Sequence, residues 1–489
     1  MIKRTTHWLS HDTKRVLAKP YLPGEEISHG VNTRTGLLMA RVLAIPDAEA
    51  ALILEQTLER FRSRHHGFEQ LLERNFALVA AHVGDAPMSR ERRLLIGAYF
   101  THEYSVEGAA LFNPSIVAAP DQTGLASGQR RFIMSVRAVG EGHISSIEFR
   151  TGTIDQRSAL TFDPLGPCLV AGDRRPPVSY DMAQFRAKLI ELDAGNELAW
   201  GILQSLPDPF TALQLEESIV AMELNGPQHA ISYETARIVR VLAASSYVTT
   251  FPRDSVLSER VIFPAGPHET RGMEDARFVE FTEDDHKVTY YATYTAFDGY
   301  GIVPQLIRTD DFITFRIATL HGPAAQNKGM ALFPRRIGGH YVMLSRRDRE
   351  NLHLATSTSI GRWEDVTELH RPSRPWELSQ IGNCGSPIET PAGWVVITHG
   401  VGPMRRYVLG ALLLDLDDPR RVLGHLREPL LSPEAAERDG YVPNVVYSCG
   451  AMVNGNDLIL PYGVSDGAIA VATVSLPELL AELRGQSAV

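Results

Sequence analysis

The residues best equipped for chemistry lie in Arg271-Gly-Met-Glu-Asp-Ala-Arg-Phe278, followed closely by Tyr290-Tyr-Ala-Thr-Tyr-Thr-Ala-Phe-Asp298. Glu274 and Asp275 are adjacent carboxyls with Arg277 two positions on. Such a pair beside a guanidinium can keep one carboxyl protonated while its neighbour stays ionised. Glycosidic cleavage needs this, because an acid must protonate a poor leaving oxygen. The same residues are equally able to form a plain ion pair from Asp275 or Glu274 to Arg277 at the start of a strand. Sugar rings stack on flat apolar faces, and Tyr291, Tyr294, Phe297, Trp394 and Tyr407 are candidates, although each type is also an ordinary core residue. Cys168, Cys384 and Cys449 lack the Cys–His spacing of a nucleophile. His102, His143, His268 and His321 lack metal-ligand spacing, so no metal is assigned.

The elements that must position these groups repeat. Arg131–Arg137, Thr289–Thr295, His340–Arg346, Gly393–His399 and Asp457–Gly463 are five comparable β-branched and aromatic runs. Ahead of each lies a further strand that begins with a compact polar cluster: Asn113-Pro-Ser-Ile116, Gly272–Arg277, Asn327-Lys-Gly-Met330, Gly382-Asn-Cys-Gly-Ser386 and Val442-Pro-Asn-Val445. Repeats of about 50–60 residues built from short strands are the signature of a β-propeller. Five copies predict a mainly β fold with a five-bladed propeller, whose inner strand ends would bring Asn113, Asp275, Arg277, Asn327, Arg346, His399 and Asp466 into one funnel.

Around these repeats the texture differs. A strand-like stretch near Gly36–Leu43 precedes helical spacing from Pro46-Asp47 to about Arg62, then at Phe68–Phe76 and Glu91–Tyr99. Residues 1–105 therefore read as a mostly helical N-terminal module. Residues 106–480 read as the propeller, with a helical insertion at about 181–244 between the first two blades, and 481–489 as a C-terminal tail. The 489 residues carry 48 Lys+Arg against 58 Asp+Glu, a net charge of −10, which argues against nucleic acid as a partner. No apolar run approaches the roughly 20 residues of a membrane span. Met1–Leu17 has no apolar leader region, and three sparse cysteines fit reduced thiols, so the expectation is a cytoplasmic protein without a membrane partner.

The segments Gly272–Phe278, Tyr290–Gly299, Asn327–Leu344, Ile381–Val401, Gly410–Pro419 and Gly440–Gly450 resemble glycoside hydrolase family 130, a family of β-mannoside phosphorylases and β-1,2-mannosidases on a five-bladed propeller. The resemblance covers roughly residues 109–480, outside the helical parts. It implies Asp275 as the catalytic acid, acting through the 3-hydroxyl of the mannosyl unit, with attack from the opposite face and inversion. It implies sugar contacts at Asn113, Ser115, Arg137 and Asp466, and Glu274, Arg277, Tyr294, Asp298 and Tyr407 are further candidate sugar contacts from the same clusters. For phosphate it implies Asn327, Arg346 and His399, with Lys328 and Gln380 as further candidates beside them.

Two departures bear on the anion. Gln380 stands where the family usually has Lys, and Gln326 stands where a basic residue precedes Asn-Lys. Lys328, Arg347, Arg349, Arg405 and Arg406 crowd the same loops as replacement donors or as a solvated basic rim. The expectation is phosphorolysis of a β-mannoside oligosaccharide to mannose 1-phosphate, with phosphate as co-substrate and no cofactor. Hydrolysis by an inverting β-1,2-mannosidase is the alternative, and a non-catalytic glycan-binding propeller is a third reading. Glu389 is a candidate base for water, or a solvated strand-end residue. The extra helices are candidate lid or subunit elements of a homo-oligomer.

Overall fold

The computed structural model describes residues 1–23, 34–83, 87–225 and 230–485. The chain is mainly β, and most of its strands fall into five antiparallel meanders, the first two joined into one ten-stranded sheet where Gly272 lies parallel to Ser145; Val16–Pro20 with Thr101–Ser105 and Val170–Ala171 with Arg260–Val261 form separate pairs. The first runs Ala110–Ala118, Arg130–Val139, Ser145–Ile154 and Leu160–Phe162. The second runs Gly272–Thr282, Val288–Phe297, Ile302–Thr309 and Thr314–Thr319, extended by Tyr247–Thr250 and Asp173–Arg175. The third is Ala331–Leu332, Tyr341–Ser345, Leu352–Ser357 and Asp365–His370. The fourth is Gln380–Asn383, Gly393–Val401, Tyr407–Leu414 and Val422–His425, with Ile388–Thr390 beside it. The fifth is Val446–Tyr447, Asp457–Val464 and Ala468–Ser475, with Met452–Asn454 at its side. The five β-branched runs singled out in the sequence are the second strand of each meander.

Many of these strands are buried on both faces, as in Ala110–Ala118 and Gly393–Val401, so their sequences are apolar rather than alternating. The reason is that consecutive meanders share cores. Phe149 and Ile133 pack with Phe278 and Tyr290 between meanders one and two. Phe281 and Tyr291 pack with Leu332 and Tyr341 between two and three. Leu344 and Leu354 meet Trp394 and Leu412 between three and four. Ile397 and Leu409 meet Leu460 and Val474 between four and five. Leu111 and Met134 meet Ile459 and Val471 between five and one.

The sequence places residues 1–105 in one helical module, and the structure divides them. Ile2–Ser10 is the outer strand of the fifth meander, antiparallel to Ala468–Ser475 from Ile2 opposite Val474 to Ser10 opposite Ala468. Arg4 fastens it there through Glu437 at 3.0 Å and the Ser432 carbonyl at 2.7 Å. The stretch expected as a strand near Gly36–Leu43 is the helix Arg34–Leu43, because Thr35, Met39 and Val42 recur at helical spacing and are buried. It packs with Asp47–Phe61, Phe68–Val79 and Arg90–Tyr99 around a separate core. Helices Met182–Glu191, Glu197–Gln204, Ala212–Asn225 and Ala230–Ala244 have another. The expected tail is a helix, Leu476–Gly485, since Leu479 and Leu483 one turn apart are buried against meanders four and five; residues 486–489 lie outside the described ones.

Removing residues 1–10 would leave the Ala468–Ser475 edge unpaired, and an unpaired edge recruits other strands. The expected outcome is a lower Tm and self-association, read by a thermal scan and size-exclusion light scattering; an unchanged Tm would refute a closing role for this strand.

Candidate active site

The polar clusters sit where the backbone breaks strand geometry. Pairing in the second meander slips between Glu274 and Arg277, and Asp275 has φ +57°. The first meander slips between Phe112 and Ser115, with Asn113 at φ +50°. Asn327, Asn444 and Asp466 have φ of +66°, +63° and +51°. Asn and Asp tolerate this left-handed region best among residues with a Cβ. A bulge re-aims its side chain away from strand alternation, and such strain collects at functional sites.

Asp275 is caged by donors. Its Oδ1 accepts from Asn113 Nδ2 at 2.7 Å and Arg137 Nη1 at 3.2 Å, and Arg277 Nη2 lies 3.8 Å from Oδ2. Glu274 beside it accepts from Arg137 Nη2 at 2.9 Å and from Lys328 Nζ at 2.6 Å. Burial alone would raise the Asp275 pKa, but Arg137, Arg277, the Asn113 amide and Lys328 outweigh it and hold the carboxyl down at about 2. Asp466 goes the other way: burial, with the Asp275 charge close by, pushes it up to about 6. The carboxyls that separate are therefore Asp275 and Asp466, where the sequence suggests Glu274 and Asp275.

A second group adjoins the first. Arg346 Nη1 donates to His399 Nε2 at 3.0 Å, and burial together with Arg346 and Arg277 keeps that imidazole's pKa well below its ordinary value. The Gln380 amide lies 3.1 Å from the same nitrogen, with its oxygen suited to Arg346 Nη1 and its nitrogen 3.2 Å from the Arg349 carbonyl. Tyr407 stacks on His399 at 6.0 Å, and Tyr447 meets it edge-on at 4.9 Å. Gly382 is required here: a Cβ would come within 2.6 Å of His399 Cε1 and 3.1 Å of Arg346 Cδ. Among the described residues Arg346 makes no ion pair, and its Nε is buried without a partner. Asn327 and Lys328 enter from the adjacent loop, Asn327 Nδ2 lying 3.4 Å from the Arg347 carbonyl.

Residues 248–484 match the family model for glycoside hydrolase family 130, described as β-1,4-mannooligosaccharide phosphorylase. A 1,2-β-oligomannan phosphorylase of Thermoanaerobacter sp. (strain X514) is 37% identical over 220 residues, 43% of this chain and 71% of that protein. The chain belongs to glycoside hydrolase family 130. A β-1,2-mannobiose phosphorylase of Listeria innocua is 32% identical over 231 residues, 45% of this chain and 63% of that protein. The solved structure of a Listeria innocua β-1,2-mannobiose phosphorylase with β-1,2-mannobiose aligns at a TM-score of 0.46 and 23% identity, covering 78% and 94% of the two chains.

Of the candidate site residues, the structure brings Asn113, Arg137, Glu274, Asp275 and Lys328 into one contact network and Arg346, Gln380, His399 and Tyr407 into the adjoining one. Three others have different work. Ser115 is fully buried, its hydroxyl accepting from the Phe278 N–H at 3.1 Å, so it stitches the first meander to the second. Tyr294 faces the core and donates to buried Glu269, which also accepts from Tyr247 at 3.0 Å. Asp298 caps the turn after Val288–Phe297, accepting from the Tyr300 and Gly301 N–H groups at 2.9 and 2.7 Å. Arg277 is a buried post: Nη1 donates to the Asp275 carbonyl, Nε to the Cys384 carbonyl and Nη2 to the Tyr447 hydroxyl, each at 2.8 Å. Tyr447 lies within the Gly440–Gly450 segment without a local mark of function, since a Tyr following Val-Val reads as core until its hydroxyl partner is known. Glu389 forms a two-pronged pair with Arg335 at 2.8 Å and has no part in this network. Cys384 and Cys449 are buried, and burial pushes the Cys384 thiol up to about 12.

The Asp466 shift has a definite pH signature. A carboxyl whose pKa rises from 3.8 to about 6 on folding contributes stability below its unfolded value and loses it as pH rises through 6. Asp466→Asn removes this titration, so its Tm relative to the parent should climb between pH 4 and pH 7.5, by an amount equivalent to about 1–3 kcal/mol. Parallel thermal scans across that range check it; a constant offset would contradict the assignment.

Proposed function

We propose that this chain cleaves β-mannosidic linkages by phosphorolysis with inversion, releasing mannose 1-phosphate. The observation that carries this reading is Arg346, a guanidinium held by neutral partners and, among the described residues, left without a carboxylate, near Lys328 and Asn327. An unpaired guanidinium next to a lysine that Glu274 only partly occupies suits an incoming phosphate dianion. The phosphate oxygen attacks the anomeric carbon as the glycosidic C–O bond breaks on the opposite face. The leaving oxygen takes its proton from Asp275 through the 3-hydroxyl of the mannosyl unit. Overall, the proton carried by hydrogenphosphate ends on the released hydroxyl.

In the resting site Asp275 is ionised, so an acid role requires a change of field on binding. Phosphate near Lys328 and Arg346 supplies one: its charge offsets the cations that hold Asp275 down and competes with Glu274 for Lys328. Asn113 and Arg137 then orient the acid, and Asp466 and Tyr407 line the sugar side. Hydrolysis remains the second reading, motivated by Gln326 and Gln380 at positions where the family is basic. The five meanders, with cores shared cyclically from the first to the fifth and back, support a five-bladed propeller whose axis carries this site. On this reading residues 106–480 form the catalytic domain, the helical additions lie outside it as lid or subunit elements, and three unpaired thiols suit a cytoplasmic setting.

Incubation with β-1,2-mannobiose, with and without phosphate, should give mannose 1-phosphate only when phosphate is present; phosphate-independent release of mannose would establish hydrolysis instead. In the same assay Asp275→Asn should lower turnover per folded molecule by about 10²–10⁴. An activated aryl or fluoride mannoside should lose much less, because its departure needs no proton. Equal losses on both substrates would remove Asp275 from the acid role.

A further inference from the structure

We propose that His370, Glu377 and His425 form a binding site for a divalent transition-metal ion, zinc matching the donors best, that pins the third meander to the fourth. The three residues come from three elements. His370 ends the outer strand of the third meander, His425 ends the outer strand of the fourth, and Glu377 lies in the connection between the meanders. Their ligand atoms all lie within 4.8 Å of one another. Glu377 is fully buried and His425 is 4% exposed.

The orientation of these groups is the second observation. His370 Nε2, His425 Nε2 and Glu377 Oε2 are all buried, and none of them has a hydrogen-bond partner among the described residues. Unsatisfied buried polar atoms are costly, and three converging on one point call for a shared partner. The other carboxylate oxygen, Oε1, accepts from the Ser373 and Arg374 N–H groups at 2.9 and 3.1 Å, which aims Oε2 at the histidines. His425 Nε2 is 3.4 Å from Oε2. The rings are fixed by packing: His370 and His425 meet edge-on at 4.6 Å, and Trp376, tied by Nε1 to the Arg427 carbonyl at 2.9 Å, meets His425 at 5.8 Å.

Two imidazoles and a carboxylate are a zinc donor set, with metal–ligand distances of about 2.0–2.2 Å and a fourth position for water. Ligands of one tetrahedral ion stand about 3.4 Å apart, so binding draws these groups together by roughly an ångström. The consequence is a clamp. The Glu377 carbonyl accepts from the Gln380 N–H at 2.8 Å, so the clamped connection leads directly into the strand that carries Gln380 beside Arg346 and His399. The ion would stabilise fold and anion site without touching substrate.

The test uses tag-free, full-length protein stripped by a chelator, loaded with zinc chloride and desalted. Metal analysis should find about one equivalent retained, with a raised Tm. His370→Ala and Glu377→Gln should each lose the equivalent and the Tm rise; Glu377→Gln retains an oxygen for the Ser373 and Arg374 N–H groups. Cobalt(II) loading of the unaltered protein gives an answer that does not depend on the variants folding: a four-coordinate site absorbs strongly in the visible, whereas unbound cobalt keeps the weak spectrum of its aquo ion. No retained zinc, an aquo-ion spectrum, or an equivalent that persists in both variants would overturn the site in favour of a plain His–Glu ion pair.

Discussion

The arrangement depends first on the buried guanidinium of Arg277. A buried charge is tolerable only when its donors are engaged, and this one is engaged by groups from three meanders: the Asp275 and Cys384 carbonyls and the Tyr447 hydroxyl. The contact with the Asp275 carbonyl falls on the left-handed residue itself, so the same side chain that joins the second, fourth and fifth meanders also holds the bulge that aims the carboxylate. Its field acts on both halves of the site. It helps to keep Asp275 ionised and, with burial and Arg346, to keep His399 neutral.

That post biases the whole centre toward positive charge. Arg137, Arg277 and Lys328 face Glu274, Asp275 and Asp466, Arg346 stands unpaired in the adjoining group, and burial with the Asp275 charge disfavours ionisation of Asp466. The centre is therefore short of negative charge. An arriving dianion would supply it, and on the phosphorolytic reading this links binding to chemistry: the acid becomes protonatable only when the nucleophile is present. A water molecule brings no charge, so a hydrolytic route would need another means of raising the Asp275 pKa.

Much of this could be read in the sequence, for identifiable reasons. The second strands of the meanders are runs of β-branched and aromatic residues buried on both faces, and the helices have amphipathic spacing, so both stand out locally. The polar clusters stand out because Asn, Asp and Gly interrupt those runs. The closing strand Ile2–Ser10 does not, since its partner Ala468–Ser475 lies at the other end of the chain and Ile2–Ser10 itself is rich in polar residues. Facing leaves the weakest local trace. Tyr294 and Tyr447 are alike as letters, yet one donates to a core glutamate and the other receives the Arg277 guanidinium. A bulge at Asn113 or Asp275 shifts the alternation by which facing is inferred. For the same reason Ser115, just past a bulge, could not be distinguished from a sugar ligand.

The two glutamines carry different weight once their surroundings are known. Gln326 is exposed, so the charge absent there is one that solvent and salt would largely screen. Gln380 is packed against Arg346 and His399. A lysine in its place would set a second cation against the Arg346 guanidinium, over an imidazole already driven neutral by burial and by two arginines. A neutral amide instead offers an oxygen to Arg346 and fixes its orientation without discharging it. Replacing a cation by an amide thus need not weaken an anion site. On the phosphorolytic reading it concentrates the charge on one well-held guanidinium, so that Arg346, not the number of basic residues on the rim, would decide the choice of nucleophile.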